Sequence, residues 1–169
     1  WELQRIMRIA AASHTTLPNI GSIPDAAQHA EALECGSRFA SAVDNAVVQL
    51  FGVEYLATIA GARPVDTQIW RSVQSEAHDS AQALQRLFPQ DCLPQVPVTY
   101  EVDDELRFEQ AIGIRHMLKT SDVLIEEWSQ LYLLAETPQQ RDVALAGLWQ
   151  TIQWEAASQP GGSPFAFEF

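Results

Sequence analysis

The stretch SEAHDSAQ, Ser75–Gln82, carries Glu76, His78 and Asp79 within four residues of a helical run. Carboxylate and imidazole groups three or four residues apart on a helix share one face, where they can hold a metal ion or pass a proton. Here the histidine comes one position too early to pair with Glu76 in that way, and Asp79 stands three residues after Glu76 instead. Glu76 and Asp79 would be an oxygen-only pair, the ligand type a hard cation accepts. Glu54, Glu109 and Glu127 lie on or beside the apolar faces of other helical stretches and complete the candidate ligand set. A second pairing follows from height along the helices. Counted from the turn near 136, at ~1.5 Å per residue, His116 and Glu155 fall level. They are expected to form a polar pair, with a ligand pair or acid/base couple as the functional alternative.

These side chains need elements to position them. Glu2–Ala12 has apolar residues at helical spacing (Leu3, Ile6, Met7, and Ile9 or Ala10) and a basic outer side of Arg5 and Arg8. After a loop with Pro18 and Pro24, a long helix is expected from about Asp25 to Ala60, entered through a Ser22–Asp25 capping box. Its seam reads Ala32, Gly36, Phe39, Val43, Ala46, Leu50, Val53, Ala57, Ala60, with a kink or break expected near Gly36. Gly61 and Pro64 separate it from a helix over 65–88, whose stripe is Ile69, Val73, Ala77, Ala81, Leu84 and Phe88. A Pro-rich link leads to a helix over 104–135. Thr137, Pro138 and Gln140 then open a last helix ending near Ser158. The tail 159–169, with alternating Phe165, Phe167 and Phe169, is expected to be extended.

The fold class is therefore all-α: a four-helix bundle over 25–158, preceded by a short helix and loop (1–24) and followed by the tail, all in one domain. Its connections run short, long, short. Short links make antiparallel neighbours. The long one, about 15 residues and ~50 Å when extended, can run back along a helix of about 33 Å. This arrangement resembles the ferritin-like superfamily, whose bundles contain one crossover. The resemblance is one of topology. It implies an iron or manganese pair held by inward carboxylates, here Glu54, Glu76, Asp79, and Glu109 or Glu127, with oxidase or metal-handling activity. The family's Glu-x-x-His motifs are absent from this chain.

Composition narrows the function. Of 169 residues, 22 are acidic and 10 basic, a formal net charge of -12. Such a surface repels phosphate backbones, so nucleic acid is an unsuitable partner and a basic protein a suitable one. No phosphate loop or nucleophile elbow occurs, and no apolar run approaches the ~18 residues of a membrane span. Cys35 and Cys92 can bridge, though their spacing does not require it. Trp154 sits about half a turn off its core stripe, and with Trp70 it is expected either at an interface or, equally, in a second layer under the N-terminal helix. The expectation is a soluble, cytoplasmic, non-enzymatic protein without cofactor. It would bind a protein partner in the manner of an adaptor, chaperone or immunity protein, with the di-metal carboxylate protein as the alternative. A targeting segment removed ahead of Trp1 stays open.

Overall fold

The computed structural model describes residues 2–13, 17, 20–61, 67–96 and 110–158, with side chains left out at 61, 67 and 110–118. The described residues form α1 (Glu2–Ala12), α2 (Ile23–Gln28), α3 (Arg38–Gly61), α4 (Thr67–Gln85), α5 (Gln110–Leu134) and α6 (Pro138–Ser158), with a 3₁₀ turn at Gln90–Cys92. The fold is all-α, and no strand occurs among these residues. Glu109, the chain from 97 to 109 and the tail from 159 onward lie outside the described residues.

Both capping boxes form. The Ser22 hydroxyl accepts from the Asp25 N–H at 3.2 Å, and Asp25 Oδ2 accepts from the Ser22 N–H at 3.4 Å. This contact, the side-chain bond first, holds the Asp25 carboxyl below its ordinary range. At the other end of the chain the Thr137 hydroxyl accepts from the Gln140 N–H at 3.2 Å, and Gln140 Oε1 accepts from the Thr137 N–H at 3.4 Å.

The helix expected over 25–60 does break near Gly36, and the break is wide enough to leave two helices, α2 and α3. Ser22 caps only the short α2, and residues 29–37 then leave helical geometry. Gly36 takes φ 79°, a left-handed conformation that glycine adopts without the steric cost other residues meet. Ser37 restarts the chain: its hydroxyl accepts from the Ala40 N–H at 3.0 Å. The break lets this segment pack on the end of α4, where the Leu33 N–H donates to the Leu87 carbonyl at 2.7 Å. Cys35 is disulfide-bonded to Cys92 of the 3₁₀ turn, with Cα atoms 5.9 Å apart. Ala32 and Gly36, expected on the seam, are exposed, and Leu33 is buried in their place. Closing a loop with a sequence separation of 57 disfavours the unfolded chain, by about 4 kcal/mol in loop entropy.

From Phe39 to Ala57 the expected α3 seam is buried. α3 packs on α4 and α5, α5 packs on α6, and α4 meets α6 more loosely. Directions follow from cross-helix bonds. Trp154 donates to Glu76 and Ser80 to Gln150, so α4 and α6 are antiparallel. α5 and α6 are antiparallel through the tight turn at 135–137. α4 and α5 therefore run in the same direction and lie across a diagonal of the bundle. This is the one-crossover arrangement that the link lengths allow. α2 fills the seam between α4 and α6, and α1 lies on α6.

The α5–α6 contact turns on one glycine. The Trp128 ring lies on Gly147 so closely that a Cβ there would meet ring carbons at 2.3 to 2.5 Å. The Trp128 indole donates to the Thr151 hydroxyl at 3.0 Å, which in turn donates to the Gly147 carbonyl at 2.9 Å. Gly→Ala inside a helix ordinarily gains about 1 kcal/mol. Gly147→Ala is expected instead to lower the unfolding free energy in urea by about 1–3 kcal/mol, the cost of overpacking. A variant as stable as the parent would mean that the indole yields without penalty.

Candidate functional site

α1 is seated by Met7 and Ala10, its two buried residues. That seating turns Leu3, Ile6 and Ile9 toward solvent, although the sequence pattern expects Leu3 and Ile6 inside. Arg8, read from sequence as part of a basic outer side, points inward instead. Its Nε and Nη2 donate to the two oxygens of Glu155 at 3.2 and 3.4 Å, and Nη2 lies 3.7 Å from Asp122 of α5. One turn earlier, Gln4 Nε2 donates to the Ser129 hydroxyl at 2.8 Å. These contacts run 4 to 129 and 8 to 122, so α1 is antiparallel to α5.

Between the two helices lies an open groove of about 690 Å³. Its apolar end is Leu3, Tyr132 and Leu133, its floor Ile125 and Leu148, and its polar end Arg8, Asp122 and Glu126. Leu133 is 82% exposed, more than any other large apolar side chain among the described residues. Glu126 is exposed and makes no ion pair among those residues. Its neighbour Glu127 is half-buried, and desolvation first, then the Glu126 charge, raises its carboxyl above the ordinary range. This groove was not anticipated. Its one sequence signal is the apolar excess of α1, which has more large aliphatic residues than the buried face of so short a helix can use.

The candidate ligands divide among separate contacts. His78, off the expected ligand face, is the residue that meets α3: its Nδ1 lies 3.1 Å from Glu54 Oε1. Gln82 Nε2 lies 2.7 Å from His78 Nε2. A tautomer with its proton on Nδ1 satisfies both contacts. Glu76 is exposed. Its Oε1 accepts from the Ser72 hydroxyl at 2.7 Å and its Oε2 from the Trp154 indole at 2.8 Å. Asp79 is exposed. Among the described residues no three His, Cys, Asp or Glu side chains come together as a metal site.

Of the two readings for Trp70 and Trp154, burial holds: they are 5% and 3% exposed. Trp154 reaches across the loose α4–α6 seam to Glu76, which draws it inside. Glu155 is buried, and its observed partner is Arg8; the His116 side chain lies outside the described residues. Burial, outweighing the lowering by Arg8, raises the Glu155 carboxyl above its ordinary range. No protein-family model matches the chain, and neither a curated protein nor a solved structure gives a match.

A raised carboxyl binds its proton more tightly in the folded state. Stability is then greatest below the ordinary carboxylate pKa and declines as pH rises through the raised one. Glu155→Gln removes this term. Its unfolding free energy relative to the parent is expected to climb between about pH 4 and about pH 7. Arg8→Ala leaves the buried carboxylate without this partner. It is expected to cost about 2–3 kcal/mol at neutral pH, below the ~3–5 of fully buried pairs because Arg8 is partly exposed, and less near pH 4. Urea titrations across this range test both, and parallel pH profiles for the parent and Glu155→Gln would refute the assignment.

Proposed function

We propose that this chain is a non-enzymatic acidic helical protein that binds a basic protein partner, in the manner of an adaptor, chaperone, or immunity or inhibitor protein. The observation that carries the reading is the exposed apolar strip of Leu3, Tyr132 and Leu133 at the rim of the α1–α5 groove, on a chain of net charge -12. An apolar patch beside like charges gives a partner surface to bury, and complementary charge to steer it. No described helix is long and apolar enough to cross a membrane. The Cys35–Cys92 bond supports a compartment that keeps disulfides oxidised over the cytoplasm expected from sequence.

The alternative, a ferritin-like di-metal carboxylate protein, has the parallel α4–α5 diagonal in its favour. Against it, Glu54 and Glu76 are engaged by His78 and Trp154. Purification from the native source without chelator separates the readings. The expected result is a defined complex with a basic protein by size exclusion, with metal well below one atom per chain. About two iron or manganese atoms per chain, the content a di-metal bundle holds, would overturn the proposal in favour of the alternative. A lone chain without metal would overturn both.

A further inference from the structure

We propose that the α1–α5 groove seats the apolar face of a basic amphipathic helix supplied by the partner protein, an inference that rests on the partner-binding reading above. The groove follows α5 from Asp122 to Leu133, a run of about 16 Å or three helical turns. A helix lying on top would insert residues at spacings of three and four between Leu3 and Leu133, over Ile125 and Leu148.

The two ends of the groove differ, and the difference selects the occupant. The Leu3–Tyr132–Leu133 end offers apolar contact. At the other end Asp122 and Glu126 stand one turn apart on the same α5 wall. Among the described residues the one cation lining the groove is Arg8, which is already bonded to Glu155 and lies 3.7 Å from Asp122. A Lys or Arg on the incoming helix would pair with Glu126, which has no ion-pair partner among the described residues, while Asp122 already lies beside Arg8. A second copy of this chain is a poor occupant, since each copy carries a net charge of -12. The segment 159–169 of this chain has apolar Phe165, Phe167 and Phe169, but Glu168 and no Lys or Arg, so it matches one end of the groove only.

The test uses the full chain and a fluorescein-labelled peptide of about four helical turns. Leucines recur at intervals of three and four on one face, with lysines elsewhere; a matched peptide has Glu for every Lys. In fluorescence anisotropy the lysine peptide is expected to bind and the glutamate peptide to fail. Leu133→Asp should weaken binding at least about tenfold, as removal of an anchoring contact does. Glu126→Lys should weaken it about three- to tenfold and flatten its salt dependence. Both residues are exposed, and unchanged melting of the variants confirms that they fold. The assignment is overturned if the lysine peptide fails to bind, if both peptides bind alike, or if neither substitution weakens binding. It is also overturned if cross-linking at position 133 captures residues 159–169 or a second copy instead of the peptide. A native complex that survives both substitutions would remove the groove assignment and leave partner binding standing, whereas absence of any native complex removes both.

Discussion

The close approach of α5 and α6 at Trp128 and Gly147 governs much of what surrounds it. Without a Cβ at 147, the α6 backbone comes within reach of the indole face, and the ring fills the space that a side chain would take. Its N–H donates to the Thr151 hydroxyl, which relays the bond to the Gly147 carbonyl. The donor–acceptor chain is closed inside the core, so the cost of burying it is met locally. Two helices held this closely present a shallow outer face, and α1 covers only part of it. α1 is seated by Met7 and Ala10, and the polar contacts at Gln4 and Arg8 fix it against α5 and α6. The groove is what that incomplete cover leaves.

The opposite side of the bundle solves a different packing problem. α4 and α6 meet loosely, through Glu76–Trp154 and Ser80–Gln150, and α2 occupies the space between them. The hairpins α3–α4 and α5–α6 each pack tightly, while pairing across the two hairpins is left to α3–α5 and a weaker α4–α6 contact. The break at Gly36 is what frees α2 to turn into that seam. A continuous helix through residues 29–37 would have carried Ile23 and Ala27 away from the core they now complete.

Much of this was legible in the sequence. Ser22–Asp25 and Thr137–Gln140 announce helix starts through reciprocal hydrogen bonding that depends on residues three apart, so their local chemistry decides them. Connection lengths allowed the crossover without requiring it, because chain reach sets only an upper limit. Less legible was anything settled by the rotation of one helix against another. Arg8 and Ile6 changed places relative to expectation because the α1 pattern admits more than one apolar face, and only a buried Glu155 on a distant helix chooses between them. Trp154 fitted either an interface or a buried layer when its stripe was considered alone; the loose seam gives it a place inside. The break near Gly36 was legible, but not its width: the apolar four-three spacing through Ala32 and Gly36 disguised the non-helical residues 29–37. For the carboxylates, sequence gave membership of helices but not which way each faced, and Glu54 found a histidine that the motif logic had set aside.

The Cys35–Cys92 bond also has a mechanical meaning. With a sequence separation of 57, it joins the chain just before α3 to the chain just after α4, making that hairpin a covalent ring. Tension applied at the two ends of the molecule passes through the sulfur atoms and bypasses everything inside the ring. Under load, α1, α2, α5 and α6 can be stripped away while α3 and α4 feel no pull along their own backbone. Extension of the polypeptide stops short by the length of the ring, whatever the helices inside it do.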